Sequence, residues 1–196
     1  MKKLILLPLA MLTLAASAGL MHMPGFFGNR KSTSGPAATT IGLDTVASFV
    51  DTWGGDVALA MAAPCTNSGT LQSAYIYVGN TAIVDLKIAV YEDVDNSISI
   101  SPGDTLVGVS SAIVSTGVSG WYSAPISGSV LSSKKYNLAV FLATTSYTLE
   151  VRTENASRVY YKNSAGFYAS PPADGGAFGS SSLGTAGRIS CYVTSN

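Results

Sequence analysis

The chain has 196 residues, 47% of them hydrophobic and only 11% charged, and its eleven basic and eleven acidic residues cancel. That length suits one domain with a sizeable core plus an N-terminal extra, and zero net charge leaves no electrostatic footprint for DNA or RNA. The one histidine, His22, falls outside the body of the chain, so Ser-His-Asp and Cys-His chemistry lack their base and a non-catalytic protein is expected.

Met1-Lys2-Lys3 is a short basic start, Leu4 to Leu14 an apolar run, and Ala16-Ser17-Ala18 fits the small-x-small rule of a signal peptidase site. Residues 1–18 therefore read as a Sec-type signal, which places the protein outside the cell or on a cell or virion surface. The competing reading is a retained apolar segment, and only then is a membrane a partner. A surface rich in Ser, Thr, Gly and Ala and poor in charge agrees with an exterior location. Residues 19–40 mix breakers with Met21, Met23, Phe26 and Phe27 and show neither helical nor strand periodicity, so they form an arm or linker.

Residues 41–196 alternate apolar and polar side chains between turn signals. Strands are expected at 57–63, 71–78, 83–92, 105–114, 121–126, 136–144, 147–153, 157–162 and 188–194. In the third of these, Val84, Leu86, Ile88 and Val90 face a core while Asp85, Lys87, Ala89 and Tyr91 face water, because successive side chains point to opposite faces. Short strands at such spacing, without an internal repeat, predict an all-β, antiparallel β-sandwich of jelly-roll type. Cys65 and Cys191 sit near opposite ends of the β region and, in an exported protein, are expected to pair as a disulfide. Buried free thiols are the alternative.

Two groups of residues carry candidate chemistry. Asp93, Asp95, Ser97, Ser99 and Asp104 fall at positions 1, 3, 5, 7 and 12 of a calcium-loop template, where alternate oxygens converge on a hard cation. Ile98 replaces the glycine of that template and no helices flank it, so an acidic hairpin without metal is the primary reading, and the cofactor expectation is none beyond a structural Ca2+ at Asp93, Asp95 and Asp104 as the alternative. The second group is aromatic. Trp121 is expected in the core, Trp53 lies in a loop beside the first strand, and Tyr160, Phe167 and Tyr168 lie in a Tyr-rich stretch whose rings offer faces to a sugar or a protein. A loop folded over the end of the core is the alternative for that stretch.

The order Leu86-Lys87-Ile88-Ala89-Val90-Tyr91-Glu92-Asp93, Pro102-Gly103, Leu106-Val107-Gly108, Gly120-Trp121 and Lys135-Tyr136-Asn137-Leu138-Ala139-Val140 resembles carbohydrate-binding, galactose-binding-like jelly rolls. Such modules occur in secreted bacterial proteins and in phage surface proteins. The resemblance spans roughly residues 54–162 and consists of strand and turn motifs, so it implies a binding or structural module without supplying ligand residues. Two functions follow as expectations. One is a module contacting a glycan or protein partner through Trp53, Tyr160, Phe167 and Tyr168. The other is a homo-oligomeric virion or surface-filament subunit assembled through its arm or its sheet edges.

Overall fold

The computed structural model describes residues 38–54, 57–79, 83–97, 100–143, 148–154, 159–162, 166–179, 182–183 and 188–196, with the backbone alone at 53–54, 57–59, 148, 159–162 and 182–183. The expected signal segment and nearly all of the expected arm lie outside these residues.

The described strands are β1 (Thr39–Gly42), β2 (Phe49–Gly54), β3 (Val57–Pro64), β4 (Gly69–Val78), β5 (Asp85–Asp93), β6 (Thr105–Val109), β7 (Ile113–Val114), β8 (Gly120–Pro125), β9 (Ser129–Val130), β10 (Lys135–Leu142), β11 (Thr148–Thr153), β12 (Val159–Lys162), β13 (Ser182–Leu183) and β14 (Cys191–Ser195). They form two antiparallel sheets. Sheet A runs β1-β14-β4-β11-β2, with β8 and β9 also paired to β4, and sheet B runs β13-β12-β3-β10-β5-β6, with β7 paired to β5. Within them lie the four-strand orders β1-β14-β4-β8 and β3-β10-β5-β6, and the chain passes between sheets from β3 to β4, β4 to β5, β6 to β8 and β9 to β10. First strand beside last, with strands alternating between two packed sheets, is the arrangement of a jelly roll. The sandwich expected from alternation is therefore present, and β1 begins at Thr39, inside the stretch read as arm.

Alternation explains the main core. Ala74, Ile76 and Val78 of β4, Leu86, Ile88 and Val90 of β5, Leu138 and Val140 of β10, and Cys191 and Val193 of β14 pack together between the sheets with almost no exposure. Each valine, leucine and isoleucine among them contributes roughly 1.5–3 kcal/mol by leaving water.

Sheet B departs from the expected pattern on its outer side. Ala89 and Tyr91 of β5, expected to face water, are fully buried, as are Ala139 and Phe141 of β10. The reason is a covering segment, residues 166–178, that ends in a 3-10 turn at Gly175–Phe178 and packs Phe178, with Phe167 and Tyr168, onto that face. Ala60, Ala139 and Ala89 stand side by side in register across β3, β10 and β5. Their small side chains leave a shallow trough that aromatic rings fill. Phe178 stacks near-parallel on Phe141 with centroids 5.9 Å apart and meets Tyr91 edge-on at 5.5 Å. Backbone bonds hold the cover in place: Leu106 N–H donates to the Ala173 carbonyl and Gly175 N–H to the Asp104 carbonyl. The Tyr91 hydroxyl donates to the Pro172 carbonyl at 2.8 Å.

The cysteines correct a second expectation, since Cys65 and Cys191 are buried free thiols. The Thr66 hydroxyl lies 2.6 Å from that of Thr39, and Thr39 stands opposite Ser195 at the end of β14. Cys191 begins that strand, four residues and so roughly 13 Å from Ser195 at about 3.3 Å per residue, which puts the two thiols toward opposite ends of β14. Cys65 instead donates its thiol hydrogen to the Asn67 carbonyl at 3.0 Å.

Two outcomes follow. Thiol titration is expected to find two reactive groups per chain in denaturant and none in the native protein at neutral pH. Burial pushes the Cys191 thiol above its ordinary 9.0, so its contribution to stability is complete below the unfolded-state pKa and declines as pH rises past it. Replacing Phe178 by alanine should cost about 3–5 kcal/mol in urea unfolding and open residues 166–178 to limited proteolysis.

Candidate functional site

Two clusters stand out, on different sheets. The first is acidic and lies where β5 leaves sheet B. A carboxylate oxygen from each of Asp93, Asp95 and Asp104 lies within 4.8 Å of the others. Local chain geometry brings them together. Ser101 to Asp104 form a turn closed by Asp104 N–H to the Ser101 carbonyl at 3.1 Å, with Pro102 second and Gly103 third at φ 98°. That is the geometry favouring proline followed by glycine. Asn96, at φ 59°, takes the left-handed conformation that asparagine tolerates best among residues with a side chain beyond Cβ.

Backbone donors then aim the carboxylates. Asp104, wholly buried, accepts from Val94 N–H at 3.0 Å and from Ser101 N–H at 2.9 Å. Asp95 accepts from Ser97 N–H at 2.9 Å and the Ser101 hydroxyl at 2.9 Å, and these bonds lower its pKa below the usual carboxylate range. Asp93 is only 5% exposed; its Oδ1 accepts from Ser97 N–H at 3.2 Å, while its buried Oδ2 has no hydrogen-bond partner. Burial, and then the adjacent Asp104 charge, raise its pKa. Of the other template positions, Ser97 is beside the cluster and Ser99 lies outside the described residues. A cleft of about 420 Å3, lined by Asp93, Val94, Asn96, Ser133, Lys134 and Lys135, adjoins the group.

The second cluster is aromatic and covers the outer face of sheet A. Ala74, Ile76 and Val78 of β4 point into the core, so Tyr75 and Tyr77 point out; Cys191 and Val193 likewise turn Tyr192 outward. Tyr192 stands opposite Tyr75, and Trp121 of β8 stands opposite Tyr77. The Tyr75 and Tyr192 rings stack at 4.5 Å and 8°. Trp121 meets Tyr192 edge-on at 5.3 Å and Tyr77 at 5.7 Å. All four rings keep partial exposure. Burial, the neighbouring Tyr75 and the nearby Asp44 carboxylate raise the pKa of Tyr192. Ser73, Ser123 and Thr194 continue the same face with small hydroxyls. Trp121 is thus an outer-face residue, not the core residue expected.

The residues predicted from sequence fare differently. Asp93, Asp95 and Asp104 are brought together. Phe167 and Tyr168 turn inward: Phe167 packs edge-on against Phe178 at 5.3 Å and Phe141 at 6.2 Å. The Tyr168 hydroxyl donates to Asp85 at 2.5 Å, and Lys87 Nζ sits 4.5 Å from its ring centre. Trp53 falls within β2, opposite Leu149, where a loop was expected, and Tyr160 falls in β12 opposite Leu59. Both of their side chains lie outside the described residues. The sheet-face cluster of Tyr75, Tyr77, Trp121 and Tyr192 was not anticipated; its sequence signal is a strand, Ala74 to Val78, in which both alternating sets are large or apolar.

Comparison with known proteins yields no match among family models, curated proteins or solved structures.

Proposed function

We propose that the chain is an exported, non-catalytic binding module that holds a glycan on the outer face of sheet A, through Tyr75, Tyr77, Trp121 and Tyr192. The observation that carries this reading is four mutually braced, partly exposed rings on one rigid sheet face, bordered by hydroxyl side chains. Sugar rings offer C–H faces to aromatic side chains and hydroxyls to polar ones. Rings already fixed by one another lose little conformational freedom when a ligand arrives. The resemblance to carbohydrate-binding jelly rolls supports the same reading at the level of strands and turns. Phe167 and Tyr168, engaged with sheet B, take no part in it.

A second reading, a subunit of a virion or surface filament, is favoured by one feature. β2 ends the described order of sheet A, and Phe49 and Val50 on it are 50% and 53% exposed. An exposed apolar edge strand invites pairing with another chain.

A glycan array probed with the purified protein is expected to show binding that Trp121→Ala and Tyr192→Ala each weaken about two- to tenfold, in line with about 0.5–1.5 kcal/mol per aromatic contact. Saturating sugar should also change tryptophan fluorescence in the parent and not in Trp121→Ala. Binding to no glycan, or binding indifferent to both substitutions, would overturn the assignment. Light scattering tests the alternative: a monomer is expected, whereas an oligomer dissociated by Phe49→Ser would favour the assembly reading.

A further inference from the structure

We infer that Asp93, Asp95 and Asp104 form a Ca2+ site that fastens the β5–β6 connection to sheet B. Three carboxylates converge within 4.8 Å, two of them buried. None of the three takes part in the ion pairs found among the described residues, which join Lys134 to Glu92, Arg152 to Glu150 and Arg188 to Glu154. Like charges this close repel, and burial strengthens the repulsion. Convergence of this kind calls for a compensating positive charge.

An independent observation points to a ligand. Asp93 Oδ2 is buried without a hydrogen-bond partner, although a buried polar oxygen left unsatisfied costs about 1–3 kcal/mol, more for a charged group. Its companion Oδ1 is already engaged by Ser97 N–H, and Asp104 is held from both sides by Val94 and Ser101 N–H. The carboxylates are thus oriented by donors outside the cluster while Asp93 Oδ2 still lacks a positive partner.

The chemistry selects the cation. Carboxylate and hydroxyl oxygens suit a hard ion, and nitrogen or sulfur ligands that would favour zinc or copper are absent from the group. Oxygens bound to one Ca2+ stand at most about 4.6–5.2 Å apart, twice the 2.3–2.6 Å ligand distance, and the three carboxylate oxygens, all within 4.8 Å of one another, fit inside that reach. Mg2+ demands a strict octahedron at about 2.0–2.1 Å and gives up its waters reluctantly, so it matches buried carboxylates less well. The adjoining cleft provides a path from solvent. The aromatic face belongs to sheet A and this site to the end of β5 in sheet B, so the inference stands whether or not a glycan binds.

The test is a calorimetric titration of the full chain, stripped with chelator, using CaCl2 alone, paired with thermal unfolding in chelator and in about 10 mM CaCl2, above the 10⁻⁴–10⁻³ M dissociation constants of many extracellular sites. Saturable binding and a Tm rise of about 5 °C or more at a large excess over Kd are expected, with a smaller rise in MgCl2. Asp95 is exposed, so Asp95→Asn should fold; it should bind Ca2+ about tenfold or more weakly. In chelator, where it relieves repulsion, its Tm should equal or exceed the parent's. Absence of both binding heat and a Tm rise would overturn the site, as would an Asp95→Asn protein that responds to Ca2+ as the parent does. A Tm loss in Asp95→Asn that is the same with and without Ca2+ would reduce the cluster to turn geometry and overturn it too. A response to MgCl2 equal to that for CaCl2 would overturn the choice of ion.

Discussion

Strand β10 has water on neither face. From Tyr136 to Leu142 every residue is buried, with Leu138 and Val140 facing the partner sheet and Ala139 and Phe141 facing outward under the covering segment. A jelly roll needs only one apolar face per sheet, so this chain has taken on a second hydrophobic interface and must supply residues to close it. Residues 166–178 do so. The row of alanines across β3, β10 and β5 is what makes the closure compact, because a larger side chain at any of the three would fill the trough that the rings occupy. The two faces of the molecule therefore differ in kind. Sheet B is covered over β10 and β5, and sheet A keeps aromatic rings at its surface.

Asp104 connects the covered face to the acidic loop. Its carbonyl accepts from Gly175 in the cover, its neighbour Thr105 bridges to Asp174, and its carboxylate holds the Val94 and Ser101 N–H groups. Gly175 is itself tightly placed: a Cβ there would lie 2.2 Å from the Ser101 carbonyl oxygen. The cover, the Pro102-Gly103 turn and the three carboxylates are consequently one structural unit. A change in how the carboxylates are neutralised would be felt in the segment that protects Phe178, Tyr91 and Phe141, some distance along the chain from the charges themselves.

What the sequence revealed follows from the period of its side chains. Strands β3, β4, β5, β8, β10 and β14 are long enough for alternation to be read, and the Pro102-Gly103 turn and Asp93-Val94-Asp95 spacing carry the acidic loop almost by themselves. Short elements such as β7, β9 and β13 span two residues each and have no period to detect. The second core escaped notice because alanine is neutral in such a reading: Ala89 beside Lys87 and Asp85 looks like the solvent side of a strand. Only the return of a distant segment, with Phe167 and Phe178, makes it interior. The same limitation hid the sheet-face rings. Tyr75 and Tyr77 come from β4, Trp121 from β8 and Tyr192 from β14, and no local pattern announces that three strands so far apart in sequence lie side by side.

The pairing of β1 with β14 has a mechanical meaning. Thr39 stands opposite Ser195, so the chain enters the first strand beside the point where it finishes the last. Ladder hydrogen bonds in an antiparallel pair run perpendicular to the strands. A pull that separates the two ends therefore loads these bonds one after another, from Thr39–Ser195 inward, instead of shearing them together. Under tension applied at Thr39 and Ser195 the sandwich would peel open from this pole at low force.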